Sequence, residues 1–87
     1  MKAFRIGDCI IAADLENEAV QFFCEETGSP SPGAILEMGV EEIIPECGLM
    51  IKDVINQVMD ERCAWLRMGV PTDLHWPFFV RKKADPN

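Results

Sequence analysis

Only Gly7-Asp8 separates Ile6 from Cys9, and the segments on either side of that pair both read as β-strands. Lys2 to Ile6 alternates polar and apolar residues, which puts Phe4 and Ile6 on one face, and Cys9 to Ala13 is an unbroken apolar run centred on the β-branched pair Ile10-Ile11. A two-residue connection with glycine first suits a type II′ hairpin turn. The first thirteen residues therefore predict an antiparallel pair whose apolar faces the rest of the chain must cover. A single strand bulged at Gly7 is the alternative, and it leaves that requirement unchanged.

The covering material is helical. Asp14 stands where an N-cap is needed, Leu15, Ala19, Phe22 and Phe23 follow the i, i+4, i+7, i+8 pattern, and Gly28 supplies a left-handed C′ residue, which predicts a helix over about 15–27. Ile51, Val54, Ile55, Val58, Met59, Cys63 and Leu66 form a second stripe over about 51–68, stopped by Gly69 and Pro71. Between the two, Ser29 to Gly33 is a loop, with Pro32 placed to open a short helical turn over Ala34 to Met38 that Gly39 ends. Glu41 to Glu46 reads as a short strand that Pro45 confines to an edge, and Phe78, Phe79 and Val80 read as a closing strand entered through Pro77. The sum is an α+β fold: a small antiparallel sheet made of the N-terminal hairpin and the C-terminal strand, with both helices packed on one face. With 87 residues this is one domain, 1–87, with 84–87 as a frayed tail.

Charge is the feature that bears most on function. The net charge is -7, and it is concentrated: residues 8–46 hold ten acids and no Lys or Arg. A surface of that sign attracts basic partners and repels nucleic acid. Arg81-Lys82-Lys83 is too short a basic stretch for phosphate tracking, so direct nucleic-acid binding is not expected. The acidic face expected of the first helix carries Glu16, Glu18, Glu25 and Glu26, and Glu41 and Glu42 follow in the next segment; these six are the candidate partner-binding residues. Trp65, off the main stripe of its helix, is the candidate aromatic anchor, ahead of Trp76 and Phe78. The expected partner is a basic protein surface. A homodimer covering Pro45 and Trp65 is a further possibility.

No run approaches the ~18 apolar residues of a membrane span, and Met1 to Ile6 meets charge before a secretory core can form. The expectation is a cytoplasmic, non-enzymatic protein with no cofactor and with Cys9, Cys24, Cys47 and Cys63 reduced, Cys24 and Cys63 as core residues. The chemical alternative is a metal- or thiol-dependent regulator or enzyme using Cys9 or Cys47 with His75, the one imidazole. Against it, the closest cysteines lie fifteen residues apart, without the paired spacing of structural zinc sites.

Three strings, Phe4-Arg5-Ile6-Gly7-Asp8-Cys9, Asp14-Leu15-Glu16-Asn17-Glu18-Ala19 with its close in Glu25-Glu26-Thr27-Gly28, and Pro77-Phe78-Phe79, resemble a group of small bacteriophage and prophage proteins over nearly the whole chain. In size and acidity the chain is also similar to the anti-CRISPR proteins and other phage inhibitors of host defence. What that resemblance implies is a protein of the bacterial cytoplasm that occupies a basic site on a host nucleic-acid-binding complex. It assigns no role to any individual residue.

Overall fold

The computed structural model describes residues 1–82; the expected tail, 84–87, lies outside them. The hairpin forms as its residues predict. Strands β1 (Lys2–Ile6) and β2 (Cys9–Ala13) pair antiparallel from Lys2↔Ala13 to Ile6↔Cys9, and Gly7, at φ 59, takes the positive angle that the first turn residue of a type II′ hairpin demands. Helix α1 (Glu16–Thr27) follows, then β3 (Ile35–Met38), helix α2 (Ile51–Arg67) and β4 (Phe78–Arg81). The sheet is antiparallel throughout, in the order β3-β1-β2-β4.

The α+β class and the sheet of hairpin plus closing strand stand, but the helices do not share a face. Phe4, Ile6, Ile11 and Ala13 form one buried cluster with Ala19 and Phe22 of α1. Ala3, Ile10 and Ala12 form another with Ile44 and with Ile51 and Ile55 of α2. Alternation along β1 and β2 sends successive side chains to opposite sides of the sheet, so the two clusters are its two faces and the molecule has three layers. The reason is written in β2. All five of its residues are buried, and an unbroken apolar run is what a strand covered on both sides requires.

The segment Ile35 to Met38 is a strand and not the expected helical turn. It pairs with β1 from Ala3↔Met38 to Ile6↔Ile35, supplying hydrogen-bond partners to an edge of the hairpin that would otherwise be open. Conversely, 41–46 is not a strand: only an isolated bridge joins Ile43 to Met50, and the Gly48 amide donates to the Ile44 carbonyl across a tight turn containing Pro45. This segment folds under α2, where Ile44 and Val40 enter the same cluster.

Helix α1 begins one residue later than the caps predict. Leu15 is its N-cap residue, 57% exposed, and no side chain caps the helix, because the Asp14 carboxylate is engaged elsewhere, 2.9 Å from His75 Nδ1 and 4.0 Å from the N-terminal amine. Helix α2 ends as predicted. Gly69 sits at φ 83, its amide donates to the Leu66 carbonyl and that of Val70 donates to the Trp65 carbonyl, the pair of bonds that defines a Schellman motif.

Of the thiols, Cys9 is buried, Cys24 half-buried and Cys47 and Cys63 exposed, all four free. The stripe of α2 thus stops being a core stripe before Cys63. At 17 residues the helix is about 25 Å long, at 1.5 Å per residue. The strands beneath it are four or five residues, roughly 13–17 Å at 3.3 Å each. In its last turns Cys63 and Trp65 to Arg67 are exposed.

Candidate partner-binding site

The connection from Val70 to Pro77 folds back to α2, where Arg62 holds it. Arg62 is 8% exposed. Its guanidinium donates from one nitrogen to the carbonyls of Leu74, at 3.2 Å, and Trp76, at 2.8 Å, and lies 5.0 Å from the centre of the Phe78 ring. A buried cation without a carboxylate is tolerable only when its donors are used and an aromatic face supplies electron density. Here Nη1 has two carbonyl acceptors and the Phe78 ring lies beside the guanidinium. Two further bonds shape the same connection: the His75 amide donates to the Asp73 carboxylate at 2.9 Å, and the His75 ring reaches Asp14 at the end of β2. An ionised Asp14 can only accept, so Nδ1 is the nitrogen that carries hydrogen.

Pinned this way, Asp73 to Pro77 forms one wall of a cleft whose other wall is α1. Glu18, Gln21, Phe22 and Glu25 line it from the helix, and Asp73, His75, Trp76 and Pro77 line it from the connection, around a volume of about 230 Å³. The helical positions follow from spacing: residues 18, 21, 22 and 25 are three or four apart and occupy one side of α1. Phe22 is at the margin of the core, its ring 5.0 Å from that of Phe79, while Trp76 remains 55% exposed. The Gln21 amide donates to Glu25 at 3.1 Å and orients that carboxylate. The cleft therefore has a buried aromatic base, an exposed indole and three carboxylates.

The six glutamates named from the sequence do not share one surface. Glu16, Glu18, Glu25 and Glu26 lie on α1. Glu41 and Glu42 are on the segment packed under α2, across the sheet. Their surroundings differ as much as their positions. Lys52 lies 3.9 Å from Glu41, Arg81 2.6 Å from Glu46 and Lys2 3.8 Å from Glu37, and Glu42 accepts from the Gly39 amide at 2.7 Å in a local turn. No Lys or Arg among the described residues lies within ion-pairing distance of the four α1 glutamates.

Trp65 is 47% exposed, near Leu66, Met68 and Val70 in the sequence, which are also exposed, at the C-terminal end of α2. It is absent from the lining of the cleft. Phe78 packs in the α2 cluster. Sequence reasoning missed Asp73, Gln21 and Phe22 as cleft residues and ranked Trp65 above Trp76. A signal was present in Asp73-Leu74-His75-Trp76-Pro77, where an Asx-turn residue and a proline bracket a large aromatic.

For the chemical alternative, His75 engages Asp14 and no thiol, and among the described residues no three His, Cys, Asp or Glu side chains are grouped so as to hold a metal ion. Nor is any helix of the described residues long and apolar enough to cross a membrane. Comparison of the chain with protein-family models, curated proteins and solved structures finds no match.

Proposed function

We propose that this protein is a non-enzymatic interaction module whose α1 face docks on a basic surface of another protein. The observation that carries this is that, among the described residues, no Lys or Arg lies within ion-pairing distance of Glu16, Glu18, Glu25 and Glu26 on α1, when the acids Glu37, Glu41 and Glu46 each have a base beside them. Uncompensated carboxylates on a rigid element create a directed negative field. Such a field accelerates encounter with a positive surface and selects its orientation. Glu25 and Glu26 also stand in the last turn of α1, where the helix dipole disfavours anions, so their presence is better explained by a partner than by the fold.

The likeness to phage inhibitors of host defence extends the proposal to the partner: a bacterial complex whose basic surface normally receives nucleic acid, blocked by an acidic helix in its place. The test is capture of binding proteins from a bacterial lysate at low salt, comparing the native chain with the variant Glu18→Lys/Glu25→Lys/Glu26→Lys and with Glu41→Lys. The native chain and Glu41→Lys are expected to retain the same partner and release it as salt rises, and the triple variant to lose it while keeping its circular dichroism. Retention by the triple variant would overturn the reading.

A further inference from the structure

Resting on that reading, we infer that the cleft between α1 and Asp73–Pro77 is a receptor for one guanidinium group, taken from an arginine side chain of the partner. The volume of about 230 Å³ lies below the roughly 300–1,000 Å³ of sites that enclose cofactors and drug-sized ligands, and it suits a single long side chain. The lining specifies the sign. Glu18, Glu25 and Asp73 are the ionisable acids, and no Lys or Arg is part of it; of the neighbouring cations, Arg62 donates to the Leu74 and Trp76 carbonyls behind the connection and Lys82 lies over the Phe79 ring.

The spread of the acids narrows the ligand further. Glu18 and Glu25 are seven residues apart on α1, roughly 10 Å along its axis, with Asp73 on the other wall. The described residues contain no group of three His, Cys, Asp or Glu side chains placed to hold a metal ion. A guanidinium has five N–H donors fanned in a plane and can serve separated acceptors at once. The exposed indole of Trp76 offers a face for that plane to stack on, and the apolar base of Phe22 and Pro77 lowers the local dielectric, which strengthens each charged contact. An ammonium is compact and strongly hydrated, and gains less from such a setting.

The probes are N-acetyl-arginine methylamide, its lysine counterpart and the neutral isostere N-acetyl-citrulline methylamide, titrated against the ¹⁵N-labelled chain. The arginine compound is expected to shift the Trp76 indole N–H and the amides of Glu18, Glu25 and Asp73 with a roughly millimolar Kd, the lysine compound to bind several-fold more weakly and the citrulline compound not at all. The Trp65 indole, outside the cleft, should stay put. Equal responses to arginine and citrulline, equal or stronger responses to lysine, or shifts at Trp65 in place of Trp76 would overturn the inference. A Glu18→Gln/Trp76→Leu variant should lose the response with the remaining spectrum unchanged, since the backbone carbonyl that Arg62 uses is kept.

The two readings fail separately. If Glu16→Lys/Glu26→Lys, which spares the cleft, abolishes partner capture while Glu18→Gln/Trp76→Leu leaves it intact, the α1 interface stands and the guanidinium receptor falls. If arginine binds the cleft but no α1 variant alters capture, the proposed function falls and the receptor stands.

Discussion

Helix α2 has Asp53 in its first turn and Arg67 in its last, whereas α1 has Glu16 and Glu18 at its start and Glu25 and Glu26 at its end, with no basic residue in the last turn. Against the helix dipole, α2 is matched at both of these positions and α1 is matched only at its start. The helices flank the same sheet and bury comparable apolar stripes, so the contrast does not come from what they cover. The acidic segment leading into α2 has Lys52 and Arg81 close by, and the α1 glutamates have no such bases among the described residues. On the α2 side the acids have bases of this chain beside them, and on the proposed function the α1 charge is what a basic partner would meet.

That contrast has consequences of graded size. The largest concern the two cores, which should respond alike if they belong to one cooperative fold. Phe4→Ala on the α1 side and Ile51→Ala on the α2 side, both essentially fully buried, are each expected to cost about 2–5 kcal/mol in urea unfolding. A loss confined to one helix, with the other protected from hydrogen exchange as before, would break the single-unit description.

Next comes Arg62, the one charged residue among the buried ones of the described residues. Arg62→Ala strands two carbonyls and removes the contact with Phe78, for an expected roughly 3 kcal/mol. Amides from Val70 to Trp76 should exchange faster, and the arginine-dependent shift of the Trp76 indole should weaken, because the cleft wall is no longer held. Full protection of that connection in the variant would mean that other contacts define it.

Smaller effects separate the helices directly. Glu25→Gln/Glu26→Gln removes charge from the unfavourable end of α1 and is expected to stabilise the chain by about 0.3–1 kcal/mol, read as a raised urea midpoint at low salt, while weakening partner capture. A stability gain that accompanies a loss of binding is the signature of residues retained for a partner. Smallest of all is Lys52→Ala. The Lys52–Glu41 pair is exposed and 3.9 Å apart, and such pairs contribute about 0–1 kcal/mol, so its loss should barely move the midpoint and should leave capture intact.

The parts of the fold that were legible in the sequence are those set by neighbours. The Gly7-Asp8 turn, the end of α2 at Gly69 and the stripe of α2 as far as Val58 and Met59 depend on residues within a few positions of one another. The misreadings arose where distant groups compete. Asp14 is a sound N-cap by local rules, yet His75, sixty-one positions away, and the N-terminal amine hold its carboxylate. Ile35 to Met38 had the start signal of a helical turn in Pro32, and the open edge of β1 claimed it as a strand. Cys63 and Leu66 continue the apolar period of α2 but are exposed, because periodicity within a helix does not decide where the element it packs on ends.

The site divides along the same line. Which residues carry negative charge, and that α1 would present Glu18 and Glu25 along one side, followed from composition and the 3.6-residue repeat alone. That Asp73 and Trp76 face them across a cleft, and that Glu41 and Glu42 do not belong with them, was decided by the tertiary structure. Helical spacing is a property of a single element, whereas the assignment of elements to the two faces of a sheet depends on which arrangement buries both sides of β2 at once.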